Sequence, residues 1–318
     1  ISFNWTSPAS SSGTVSFWVS SLATGGSSGT SGDQTYTFNK SVQQSASSYT
    51  LSLLAGTGGS VSGAGSFNLG TTTTIVATPS NGYDFTGWTG EGASNSSSPT
   101  TTVSMTQARS LTANFSIKAY NLSLAAGSGG SISGSGSFNH GTNPTIIATP
   151  DNGYDFIGWT GLGVTNSSSQ STTVSMTQAR SLTANFSIKS YALSLASSSG
   201  GTVLGIGTFN HGTSTTIVAN PDTGYDFVGW SGDGVNDSGS ATTTVSMIQA
   251  RSLTANFSIK NYTLSLSSGL GGSVSGDGSF NHGTNPTVVA SSNPGYDFTG
   301  WTGQGVTNSN SATTTVSM

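Results

Sequence analysis

Asn81-Gly82-Tyr83-Asp84-Phe85-Thr86-Gly87-Trp88-Thr89-Gly90 is written again as Asn152-Gly153-Tyr154-Asp155-Phe156-Ile157-Gly158-Trp159-Thr160-Gly161. It returns a third time at Thr223–Gly232 and a fourth at Pro294–Gly303. Each tryptophan stands 71 residues from the next (159 − 88), and Tyr49, Tyr120, Tyr191 and Tyr262 keep the same spacing. So do Met105, Met176, Met247 and Met318. A fixed period of this size, without insertion or deletion, marks an array of like units. The expected divisions are a partial β domain at 1–48 and repeats at 49–119, 120–190, 191–261 and 262–318, the last without its final strand.

Outward from that stretch, the first repeat reads as strands throughout. Tyr49, Leu51 and Leu53 alternate with Thr50 and Ser52, the period of a half-buried strand. Gly58-Gly59 and Gly63 bracket a short Ser60-Val61-Ser62 strand, and Thr71–Thr78 is β-branched until Pro79 stops it. Asp84–Thr89, Thr100–Met105 and Leu111–Ile117 complete the set, and no stretch has helical periodicity. The fold expected is all-β: a linear array of small antiparallel modules, either β-grasp-like or compact β-sandwiches. The core expected comprises Leu51, Leu53, Val61, Phe67, Ile75, Tyr83, Phe85, Trp88, Val103, Met105, Leu111 and Phe115. Only Ser116, Ile117, Lys118 and Ala119 separate Phe115 from Tyr120. No flexible Gly/Ser or Pro-rich linker intervenes, so a stiff rod is expected.

Composition narrows the function. Charged residues make up 6% of the chain, the net charge is −4 and no basic stripe exists, so nucleic acid has no electrostatic footprint. No apolar run reaches a membrane span. The Ser/Thr/Asn/Gly surface and the lack of cysteine suit export to the cell surface, after removal of a signal peptide upstream of Ile1. Asn95, Asn166 and Asn236 begin Asn-x-Ser triplets that permit glycosylation.

No catalytic residue, cofactor site or metal site is expected. Serines abound without a nucleophile elbow and its histidine partner. His140, His211 and His282 occur once per unit, with Leu69 in the first, and read as turn residues rather than ligands. Asp233–Asp237 and Asp277 lack the alternating acids of a calcium loop. Lys118, Lys189 and Lys260 read as solvated junction residues. An isopeptide bond from such a lysine to asparagine would need a buried carboxylate beside it. Trp88, Trp159, Trp230 and Trp301, with Asp84, Asp155, Asp226 and Asp297, could form a repeated aromatic-and-carboxylate platform for glycans. The competing reading places the indoles in a small core and lets Asp84 cap a turn or pair with Arg109. The incomplete fourth repeat reads either as part of a longer array or as one completed by another subunit, to which Thr14–Val19, with Val15, Phe17 and Val19 alternating, could donate the strand.

The ordered combination Gly59-Ser60-Val61, Gly70-Thr71, Ala77-Thr78-Pro79, Gly82–Trp88, Val103-Ser104-Met105 and Leu111–Phe115 resembles the divergent InlB B-repeat family, of the Listeria–Bacteroides type. That resemblance implies an extracellular bacterial module, a spacer or adhesion element, with no catalytic residues. Residues 1–48 are similar to the end of Reeler-like choice-of-anchor domains through Trp5-Thr6-x-Pro8, Gly13-Thr14-Val15-x-Phe17 and Gly32-Asp33-x-x-Tyr36-Thr37. The function expected is a non-catalytic stalk or fibre on a bacterial surface, self-associating head to tail or through sheet edges. The alternative is a multivalent adhesin that binds glycans or cell-surface proteins. The accessory region of a secreted enzyme is a third reading.

Overall fold

Strand alternation becomes two facing sheets per repeat. The computed structural model describes the backbone of Thr14–Leu22 and Thr35–Gln43 and all of residues 46–318. β1 (Thr14–Leu22) pairs antiparallel with β2 (Thr35–Gln43) over its whole length. The side chains of Val15, Phe17 and Val19 lie outside the described residues, as do Trp5, Pro8, Gly13, Gly32 and Asp33. By proximity the chain divides into two compact units. One holds 1–122, 135–144 and 174–180, and the other holds the rest. Module 1 lies in the first unit, and modules 3 and 4 lie in the second.

Module 1 contains β3 (Ser48–Ala55), β4 (Gly59–Ser62), β5 (Gly65–Asn68), β6 (Thr72–Pro79), β7 (Tyr83–Thr89), β8 (Thr100–Ser104) and β9 (Arg109–Ile117). One sheet has the order β5-β3-β9-β7, the other β4-β6-β8, and the same orders recur in modules 2 and 3. No helix occurs among the described residues. The expected all-β class holds, as a compact sandwich. The antiparallel expectation needs one correction: β3 and β9 run parallel, from Leu51↔Arg109 to Ala55↔Ala113. A parallel pair needs a long crossover, and the whole second sheet with β5 and β7 supplies it.

The core lies between the sheets. Leu51, Trp88, Leu111 and Ala113 from the first meet Ile75, Ala77, Val103 and Met105 from the second. Leu53, Val61, Phe67, Phe85 and Phe115 pack around them, half-buried. Each fully buried aliphatic contributes about 1.5–3 kcal/mol relative to exposure. Tyr83 is not part of this cluster. Its ring lies over Gly58, where a Cβ would sit 2.1 Å from Cδ1.

The Tyr-Asp-Phe-x-Gly-Trp stretch is a bulged strand. The register runs Phe85↔Phe115, then Gly87↔Asn114 and Trp88↔Ala113, so Thr86 is the extra residue. A regular strand would send residues three apart to opposite faces. The bulge turns both Phe85 and Trp88 inward, where their rings meet edge-on at 5.9 Å. Gly87 makes this possible with φ of 145°, a region that penalises side chains. Asn114 Nδ2 donates to the Gly87 carbonyl at 3.2 Å and stabilises the irregular backbone.

Module 4 keeps the antiparallel pairs Asn261–Leu264 with Gly278–Asn281 and Gly272–Ser275 with Thr287–Ser292. The strand expected over Asp297–Thr302 does not form among the described residues.

Candidate functional site at the repeat junctions

A polar construction recurs three times where one module ends and the next begins. β9 ends at Ile117 and the next strand, Ala119–Ala126, begins after a single residue, Lys118. The peptide groups of that lysine are bonded on both sides. Its N–H donates to the Gly82 carbonyl of the preceding module, and its carbonyl accepts from the His140 N–H of the following one, both at 2.8 Å. Lys189 bridges Gly153 and His211 in the same way, also at 2.8 Å, and Lys260 bridges Gly224 and His282 at 2.8 and 2.9 Å.

Side chains reinforce the bridge. The His140 ring covers Gly82 so closely that a Cβ there would lie 2.0 Å from Cδ2. His211 over Gly153 and His282 over Gly224 repeat the contact at 2.0 and 1.9 Å. Glycine is required twice over, since Gly82 also has φ of 82°. The other side of each imidazole meets a tyrosine edge-on: Tyr120, Tyr191 and Tyr262, all with ring centroids 6.0 Å apart. Nδ1 of His140 and of His211 is buried without a hydrogen-bond partner, so packing and the backbone N–H hold the ring.

Lys118 Nζ lies 3.4 Å from Asp84 Oδ1, Lys189 3.4 Å from Asp155 and Lys260 3.6 Å from Asp226. These pairs are more than a third exposed, so each contributes about 0–1 kcal/mol. The pairing corrects the expectation that Asp84 would meet Arg109. That guanidinium donates instead to the Ser104 carbonyl and the Thr106 hydroxyl. The exposed Asp–Lys pairing also differs from the buried environment an isopeptide bond needs.

The other sequence candidates fall elsewhere. Trp88, Trp159 and Trp230 are 4, 4 and 5% exposed, with their faces inside the core. Their indole N–H groups donate to the carbonyls of Ser98, Ser169 and Ser240 at 3.0–3.1 Å. Trp301 is half-buried and donates to Ser311 at 3.0 Å. Asp297 of module 4 has no lysine in ion-pair range among the described residues. Asp237 accepts from the Gly239 N–H, a local turn contact. No cluster of three or more His, Cys, Asp or Glu occurs among the described residues.

Sequence reasoning found the junction lysines and histidines but not their joint role. The signal was the exception in the first repeat. There Leu69 stands for histidine and Ser47 for lysine, although the Leu69 N–H to Ser47 carbonyl bond survives at 2.8 Å. Both side-chain types change together at the one boundary that no like module precedes.

No curated protein matches the chain. Among solved structures it is similar to the Bacillus anthracis TIE protein at 8% identity and a TM-score of 0.34, over 76% of this chain. The match spans 57% of that structure. The family model of the divergent InlB B-repeat domain matches residues 49–119, 120–190, 191–261 and 262–318. With four tandem matches across most of its length, the chain belongs to the divergent InlB B-repeat domain family.

Proposed function

We propose that this chain is a non-catalytic, extracellular structural protein whose repeats form a stalk or fibre on a bacterial surface. The observation that carries the reading is the three-fold recurrence of the bridged lysine, with its histidine over glycine. A flexible tether needs no such contacts, whereas a spacer that must hold direction does. Family membership supports the surface setting. Negative-stain microscopy of native material is the test. Extended projections or filaments support the stalk, and dispersed particles without extension refute it.

A second reading, a multivalent adhesin for glycans or cell-surface proteins, draws on the loop after the tryptophan. Its framework is fixed: Trp88 N–H donates to Ser96, and the Asn95 side chain and the Thr101 hydroxyl hold the turn. Its sequence varies from Glu91–Pro99 to Leu162–Gln170, Asp233–Ala241 and Gln304–Ala312. A constant frame with changing side chains suits recognition repeated for avidity. Binding on a glycan array that is lost when these loops are exchanged for one sequence would favour it over the stalk alone.

A further inference from the structure

We propose that the central parallel strand pair of each complete module is a tensile clamp, so the array bears load as well as extending. This deepens the stalk reading and rests on it. The chain enters module 1 at the start of β3 and leaves at the end of β9. These two strands are direct neighbours and run parallel. Entry and exit therefore lie at opposite ends of one ladder. Tension along the chain must slide β3 along β9, with the hydrogen bonds loaded together. An antiparallel pair pulled at its adjacent ends would instead open one bond at a time.

The ladder is built for that load. Five residue pairs join β3 to β9, and the Gly56 N–H extends the row by donating to the Ala113 carbonyl at 2.8 Å. Module 3 repeats it from Leu193↔Arg251 to Ser197↔Ala255, continued by the Ser198 N–H to the Ala255 carbonyl at 2.9 Å. The Ser198 hydroxyl then accepts from the Phe257 N–H, also at 2.9 Å. In module 2 the Gly127 N–H donates to the Ala184 carbonyl at 2.8 Å. β5 and β7 cover both outer edges of the pair in module 1. Leu51, Leu111 and Ala113 seal its inner face at 0–1% exposure, so water cannot replace the bonds singly from within. The one-residue connector passes force from Ile117 to Ala119 without slack. Only two backbone bonds bridge Lys118 to its neighbours, fewer than the clamp ladder holds, so they yield before the clamp.

The chain contains no cysteine, which allows clean attachment of handles. In single-molecule force spectroscopy, the 1–318 chain pulled at its ends gives three high-force events, one for each module that has both strands. Each frees a chain of roughly 250 Å extended length, at about 3.5 Å per residue, less the span of the folded module. The decisive comparison uses two variants of the same folded module 3. Ser190→Cys/Ser258→Cys loads the strands in shear. Ser190→Cys/Asn210→Cys, kept reduced until the handles are coupled, peels the antiparallel pair Ser190–Leu193 with Gly207–Asn210 from its adjacent ends. All three positions are exposed, so the folded state is retained. The shear variant ruptures at about three times the force of the peeling variant, or more, at equal loading rate. Equal forces overturn the clamp and leave the stalk reading untouched. A strong clamp in a protein whose native material shows no extended assemblies refutes the stalk and leaves the clamp.

Discussion

Modules 3 and 4 carry nearly the same residues up to Met247 and Met318, and within residues 1–318 the strand that follows is seen only in module 3. In module 3, Tyr225–Ser231 pairs with Arg251–Ile259 through the bulge at Phe227/Gly229. Trp230 is 5% exposed and Gly224 is buried under His282. In module 4, Tyr296–Trp301 forms no strand, Tyr296 is 57% exposed and nothing lies within 4 Å of a Cβ on Gly295. Yet the second sheet persists, with Val288 buried and Val316 at 5% exposure, and Trp301 still bonds Ser311. The loop and second sheet are thus fixed locally. The first sheet depends on its central strand, which supplies both the ladder and the core residues Leu253 and Ala255.

The sharpest way to break this comparison is the tryptophan. Trp230→Ala should destabilise module 3 by about 3–5 kcal/mol, since it empties a closed core. Trp301→Ala should cost module 4 less than about half of that, because its site is already open. Denaturant titration read by hydrogen exchange for each module separates the two, and equal losses would mean that the missing strand matters little.

Next in size is the junction glycine. Gly224→Ala and Gly295→Ala share a positive φ, of 83° and 84°, and each should lose about 1–2 kcal/mol from strain. Only Gly224→Ala also displaces an imidazole. It should shift the His282 ring resonances and speed exchange of the Lys260 amide, while Gly295→Ala leaves both alone. Asn256→Ala tests the bulge. It removes donors to the Gly229 carbonyl and the Ser231 hydroxyl and should cost about 1 kcal/mol. Amide exchange at 229–231 should then approach that at 300–302. The smallest effect belongs to Lys260→Ala, within about 1 kcal/mol and fading in high salt. A larger loss measured by thermal unfolding would show that the ion pair, and not the backbone bridge, holds the junction.

The sequence made the strands legible because alternation is a one-residue signal. Leu51, Val103, Met105 and Leu111 announce their face directly. Ala77 and Ala113 are harder to read, because a methyl group carries little weight in a hydrophobic count. Ala113 is nevertheless buried, directly across the ladder from Trp88. The direction of β3 against β9 was not legible, since both strands alternate alike whichever way they pair. The bulge was half-legible: two aromatics three apart in a strand can share a face only if one residue is extra. The histidine contact was hidden because its partner, a glycine, has no side chain to suggest it.

The doubly bonded peptide of Lys118 has a consequence for heredity. One residue gained or lost there would reverse the inward and outward faces of the following strand and drop both bridging bonds. Variation in reach must therefore come in whole modules. Near-identical copies are also the substrate on which unequal recombination acts. Length becomes a counted trait: a lineage can lengthen or shorten the array by whole steps without reshaping a single contact.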